Sequence, residues 1–248
     1  HYLAGVNYLD PRLQPLLRRS AEPVSMAETQ QATAEAIAAA LEQEDSPLPV
    51  LQLWGSDVHG KRDIAAWAVA RLGLRLYAIA CEDIPANPHE LEALAVLWER
   101  EATLLDCTLL VECADAAPGA AVQRFIERVG GLALLALREP VALARRDLRF
   151  RVDKPERRDQ LSLWEQALGS TSASLGRAVE GVASEFRLSA HDIQRIGTQF
   201  AREAAALPDP EAALWQACRS LDRRHLDGLA QRIEPEAGWD DLILPEPQ

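Results

Sequence analysis

Cysteine is scarce in this chain and poorly spaced for chemistry. Cys81, Cys107, Cys113 and Cys218 are the only four in 248 residues. No two stand as Cys-x-x-Cys, which leaves no zinc ligand set, and their apolar settings read as buried thiols in a reducing, cytoplasmic compartment. The five histidines are scattered with no His-x-x-x-His pair, so no metal site is expected. No run of about 18 apolar residues exists, so nothing is expected to cross a membrane, and no secretory signal is visible. Positive charge is in deficit: 26 Lys and Arg face 38 Asp and Glu, for a net charge of −12. That balance opposes phosphate-driven nucleic-acid binding and docking on an anionic membrane surface. It favours solubility. Aromatic residues are also few, and six of them are Trp.

What is present is helix-forming and apolar. Ala and Leu dominate with Glu, Arg and Gln, residues that favour helix, and the apolar fraction of 48% suffices for one large or two small cores. The chain opens at His1 without Met and closes on Pro245-Glu246-Pro247-Gln248. Both ends are expected to be cuts from a longer polypeptide.

Residues 1 to about 24, with Pro11, Pro15 and Pro23, read as an irregular or partly helical lead-in that packs on the body. Ser25-x-x-Glu28 reads as a capping box opening an Ala-rich helix to about Glu44, which Ser46-Pro47-Leu48-Pro49 ends. Strands and helices then alternate. Strands are expected at Val50–Leu53, Leu74–Ala80, Cys107–Cys113, Leu132–Leu137 and Leu148–Val152. Helices run through Ile64–Leu72, from Pro88 to Leu105, and around Val122–Val129. Short strands apolar on both faces and separated by helices specify a parallel sheet covered on both sides. After Pro155 the pattern is helical only: Arg157–Leu168, Leu175–Phe186, Ala190–Ala206 and Pro210 to about Arg232. The fold class is therefore α/β, a parallel sheet flanked by helices and followed by an all-helical subdomain. The divisions are 1–45 (lead-in and Ala-rich helix), 46–155 (α/β body), 156–233 (helical lid) and 234–248, an acidic, proline-containing linker.

The first strand breaks into Gly55-Ser56-Asp57-Val58-His59-Gly60-Lys61-Arg62. Gly-x-x-x-x-Gly-Lys between a strand and a helix is the pattern of a phosphate-binding loop, whose amides wrap phosphates while the Lys neutralises them. The next residue should be a Ser or Thr that ligates magnesium. Here it is Arg62, whose charge would repel the ion. On the opposing reading, the glycines serve only a strand–helix turn and Lys61 is solvated. Hydrolysis would also need a metal-holding carboxylate and a base at the end of a later strand. Glu112 stands at the first station and Cys113, no ordinary base, at the second. Asp115 reads as a cap for the following turn. The fourth strand ends Ala136-Leu137-Arg138, without a polar sensor. The candidate nucleotide site is thus Gly55, Gly60, Lys61, Arg62 and Glu112, in vestigial form, with no catalytic residue and no metal.

Arg145, Arg146, Arg149 and Arg151 precede or lie in the last strand. They read as a solvated basic edge, with an arginine finger as the rival. Trp54, Trp98, Trp164 and Trp215 read as core, because no basic or Gly-rich setting accompanies them.

This order of elements resembles an AAA-type ATPase module. Val152-Asp153-Lys154-Pro155 resembles the end of that family's large subdomain, and Leu188-Ser189-Ala190-His191-Asp192-Ile193 the entry to its third lid helix. More narrowly, Trp98-Glu99-Arg100-Glu101-Ala102, Leu214-Trp215-Gln216-Ala217-Cys218-Arg219, Leu229–Pro235 and Trp239-Asp240-Asp241-Leu242 are similar to the degenerate first module of certain bacterial two-module AAA+ ATPases. The resemblance implies a downstream catalytic module on the same polypeptide, a homo-oligomeric ring, and a contractile injection system as protein partner, with no nucleic acid and no membrane. The expected role is regulatory and scaffolding, without cofactor. The alternatives are a module that binds ADP or ATP without hydrolysing it, and an active P-loop ATPase.

Overall fold

The computed structural model describes residues 9–44, 47–113, 117–204 and 207–227, with side chains as far as 221. In chain order the elements are β1 (Arg18–Ser20), α1 (Glu28–Glu42), β2 (Val50–Trp54), α2 (Val58–Arg71), β3 (Arg75–Ala80), α3 (Pro88–Leu105), β4 (Cys107–Glu112), α4 (Ala120–Arg128), β5 (Ala133–Leu137) and β6 (Asp147–Arg151). The helices α5 (Arg157–Leu168), α6 (Gly176–Glu185), α7 (Ala190–Glu203) and α8 (Pro210–Asp227) follow.

The sheet has the order β1-β3-β4-β5-β2-β6. All pairings are parallel except β1 with β3. Val50 and Leu109 both register on Ala133, so the strand before the glycine loop, the strand ending in Glu112 and β5 are neighbours as the alternation requires. Strands buried on both faces explain the near-continuous apolar runs. On one face Leu51, Leu53, Leu76, Leu110 and Leu134 pack with Ile37 and Leu41 of α1 and Ile64 and Val69 of α2. On the other, Val50, Ile79, Leu109, Val111 and Leu135 pack with Leu94 and Trp98 of α3 and Phe125 and Ile126 of α4. Leu9, Leu13 and Leu17 join this second face, and Asp10 fixes that arm by accepting from Arg100 at 2.6 Å and donating its amide to Glu101 at 3.1 Å. The α5–α8 helices close their own cluster around Trp164, Val182, Ile193, Phe200 and Leu214.

Three local readings are corrected. The lead-in contains a strand, β1, which pairs antiparallel with β3. Its Arg-Arg-Ser sequence has no apolar face, since an edge strand here needs only its backbone. The Ser25–Glu28 capping box does not form: Ala27 is the N-cap of α1, without a side-chain cap. Ser25 instead donates its hydroxyl to Gln166 of α5 at 3.2 Å, spending the cap on a contact with the lid. The Trp reading holds for Trp98 and Trp164, both buried. It holds in part for Trp54, which packs half-buried against the core with the Arg151 guanidinium 5.3 Å over its ring, and fails for Trp215, which is 37% exposed with one edge against Phe186. Asp115 and the segments Leu229–Pro235 and Trp239–Leu242 lie outside the described residues, as does the end of the helix expected to reach Ala206.

Candidate functional site

The five candidate residues meet at the carboxyl ends of β2, β5 and β4, where parallel α/β sheets receive ligands. How they meet differs from an open phosphate cradle. Helix α2 starts at Val58, inside the glycine loop, with Asp57 as its N-cap. The Asp57 carboxylate accepts the Gly60 amide at 2.9 Å and the side-chain amide of buried Gln30 at 2.8 Å. Four other loop amides also donate within the chain. Gly55 bonds the Leu137 carbonyl at 3.2 Å and Asp57 the Val152 carbonyl at 3.2 Å. Lys61 bonds the Asp57 carbonyl at 3.1 Å, and Ser56 bonds the Asp153 carboxylate at 3.1 Å. A helix N-terminus attracts an anion, and here Asp57 supplies one from the chain itself.

The glycines fit tightly. Gly55 has φ +134°, and a Cβ there would stand 2.3 Å from the Val152 carbonyl oxygen. A Cβ at Gly60 would stand 2.5 Å from both Asp57 and Gln30 side-chain atoms. These positions require glycine because of neighbouring protein groups.

Lys61 is 2% exposed, so the solvated reading of this lysine is wrong. Its ammonium donates to the carbonyls of Gly55 at 2.9 Å and Leu137 at 2.6 Å. A buried cation needs such acceptors. It ties the loop to the end of β5.

Arg62 and Glu112 form a two-point ion pair, Nε to Oε1 at 2.6 Å and a terminal nitrogen to Oε2 at 2.8 Å. The Glu112 side chain is 14% exposed, and Arg18 of β1 donates to the same Oε2 at 3.2 Å. In a working P-loop site, the residue after the Lys and the carboxylate of the later strand share a magnesium ion. Here a guanidinium fixed to the backbone sits between those two stations. Arg18 carried no sequence signal, because its role depends on an edge strand that has none.

The titrating groups nearby follow their burial. Desolvation raises the Asp57 carboxyl against the pull of Gly60 and Gln30. Desolvation also raises Asp63, one turn further along α2, to about 6, with the nearby Asp57 charge adding to the rise. His59 is lowered by burial and then by His191 of α7, whose ring it stacks on at 4.6 Å. That stack joins the loop helix to the lid. Ser189, at the α7 N-cap, accepts the Asp192 amide at 3.1 Å, and Thr29 of α1 donates to Asp159 of α5 at 2.5 Å.

Residues 156–224 match the family model for the contractile injection system ATPase helical domain. The match spans the lid helices α5 to α8 and is consistent with a protein related to AAA+-type ATPases. No curated protein sequence matches the chain. Within the matched residues, the motif Leu188–Ile193 opens α7, the third helix after the sheet. Among the described residues, no cluster of His, Cys, Asp and Glu could hold a metal ion, and no helix is long and apolar enough to cross a membrane.

Of the arginines of the β6 region, Arg146, Arg149 and Arg151 are exposed, as the solvated-edge reading expects, while each also pairs with a neighbour; Arg145 is half-buried. Arg145 donates to the carbonyls of Val129 at 2.7 Å, and also to Leu48 and Gly131. Arg146 pairs with Glu44, Arg149 with Asp147 and Arg151 with Asp153. No arginine of this group is held out as a finger.

Proposed function

We propose that this chain is a catalytically degenerate AAA-type module, and that it serves as a regulatory and scaffolding part of a larger bacterial, cytoplasmic AAA+ ATPase of contractile injection systems. Residues 46–155 are its body and 156–233 its lid. Residues 1–45 are its lead-in, and 234–248 lead to a downstream module that hydrolyses ATP. It acts through protein contacts within a homo-oligomeric ring and with a partner of the injection system.

The observation that carries this reading is the double self-occupation of the vestigial site. Asp57 and Asp153 take loop amides that would hold phosphate, and Arg62 takes the Glu112 carboxylate that would hold magnesium. A phosphate contact with the Ser56 or Gly60 amide would have to displace an internal bond. Cys113 stands in place of a base and Arg138 in place of a sensor, and a buried thiol is a poor proton acceptor for an attacking water.

The rival is a module that holds ADP or ATP without hydrolysis. Its support is the convergence of Gly55, Gly60, Lys61 and Arg62 in one place. Isothermal titration with ATP and ADP, with and without magnesium, separates the two. The scaffold reading expects no affinity tighter than about 1 mM. Tighter binding that Lys61→Met abolishes in a folded variant would replace it with the nucleotide-binding reading. Turnover that Glu112→Gln abolishes would replace it with an active ATPase.

A further inference from the structure

Ala80 at the end of β3 is the register partner of Glu112 at the end of β4. The next residues are Cys81, which opens a short 3-10 turn (Cys81–Asp83) directly after β3, and Cys113, directly after β4. Side chains on a strand alternate faces. Tyr77 and Ile79 lead to Cys81, and Leu109 and Val111 lead to Cys113, all against the same apolar layer. The β4 ladder extends through Cys113, whose amide donates to the Ala136 carbonyl at 2.9 Å. The last register pair, Ala80 and Glu112, stands about 4.7–4.9 Å apart, so the two cysteines that follow leave neighbouring strand ends at a separation comparable to the roughly 4.4–6.8 Å between Cα atoms that a disulfide spans. Cys81 packs against the core layer that contains Cys113. The other cysteines are remote from this pair. Cys107 starts β4 at its opposite end, and Cys218 lies in the lid cluster.

We propose that Cys81 and Cys113 are a redox-active dithiol that closes to an intramolecular disulfide, across the carboxyl ends of β3 and β4 and directly beside the Glu112–Arg62 pair. The oxidant is a small-molecule disulfide. The Cys81 thiolate, on the partly exposed residue of the two, attacks one of its sulfurs and releases one small thiolate. The Cys113 thiolate then attacks the Cys81 sulfur and releases the second. Two protein thiols and one disulfide become one protein disulfide and two small thiols. Burial raises both thiols above their ordinary value, so the thiolate fraction, and with it the rate, climbs with pH.

The test is incubation of the folded chain with oxidised glutathione, followed by intact mass and a non-reducing peptide map. The expected product is lighter by about 2 Da, two hydrogens, with Cys81 linked to Cys113. It reverts with dithiothreitol. It forms in a Cys107→Ala/Cys218→Ala background and is lost in Cys81→Ser. Its initial rate rises up to about tenfold per pH unit between roughly pH 7 and 9. A stable glutathione adduct on Cys81 with no internal link would overturn the proposal, as would a link from Cys81 to Cys107 or Cys218. The peptide map of the unmutated chain decides this even if a cysteine variant fails to fold.

Discussion

Arg62 grips Glu112 with two parallel hydrogen bonds, of 2.6 and 2.8 Å, from one turn of α2 to the last residue of β4. Removing one partner of a half-buried pair leaves the other charge poorly compensated. Arg62→Ala is expected to cost about 1–3 kcal/mol in denaturant unfolding, reduced because Arg18 remains beside Glu112. Arg62→Ala/Glu112→Gln should lose less than the sum of the two single changes. Additive losses would mean that the fork contributes nothing to stability.

Returning a hydroxyl to position 62 tests the self-occupation directly. Arg62→Thr supplies a magnesium ligand but leaves Asp57 on the Gly60 amide and Asp153 on the Ser56 amide. Titration calorimetry of that variant with magnesium-ATP is expected to stay silent. A clear binding isotherm would show that Arg62 alone keeps nucleotide out.

Lys61→Met keeps the length of the side chain and removes its charge. The carbonyls of Gly55 and Leu137 then lose a buried donor. A cost of about 2–4 kcal/mol is expected, the sum of two charge-assisted hydrogen bonds less the gain from burying an uncharged chain. Equal urea midpoints for Lys61→Met and the parent would refute a structural role for this lysine.

Asp63 gives a stability change whose sign depends on pH. Its carboxyl is raised to about 6 in the fold, chiefly by desolvation. A raised folded value means that its contribution is complete below the unfolded value and is lost as pH rises through about 6. Asp63→Asn should therefore raise the unfolding free energy at pH 8, by up to about 3 kcal/mol, and leave it unchanged below about pH 4. His59, whose value the fold lowers, works in the opposite sense, so its contribution is present at neutral pH and is lost on acidification below its unfolded value. An equal gain for Asp63→Asn at both pH values would rule out titration as the cause.

The sheet was legible because its strands are buried on both faces. Leu109-Leu110-Val111 and Leu134-Leu135-Ala136 cannot sit elsewhere without exposing a whole side to water. Edge strand β1 was not legible, since Arg18-Arg19-Ser20 enters the sheet by backbone bonds alone. The five candidate site residues were found from spacing, and Arg62 and Glu112 were read as misfits in a metal site. That they satisfy each other is a contact across fifty residues of chain, which spacing does not carry. Asp57 offered a local signal that was not used: an Asp three residues before a Gly, just ahead of an apolar-periodic helix, is an N-cap pattern. Reading it would have started α2 at Val58 and filled the loop. Asp153 lies 97 positions from Ser56 and gave no such signal.

Glu112 also answers to Arg18, on the short strand at the far edge of the sheet. The amino-terminal arm and the loop helix are thereby moored to one carboxylate. A pull on the chain ahead of β1 would reach α2 through two ion pairs, Arg18–Glu112 and Glu112–Arg62. That carboxylate is a mechanical joint between the edge of the sheet and its loop helix.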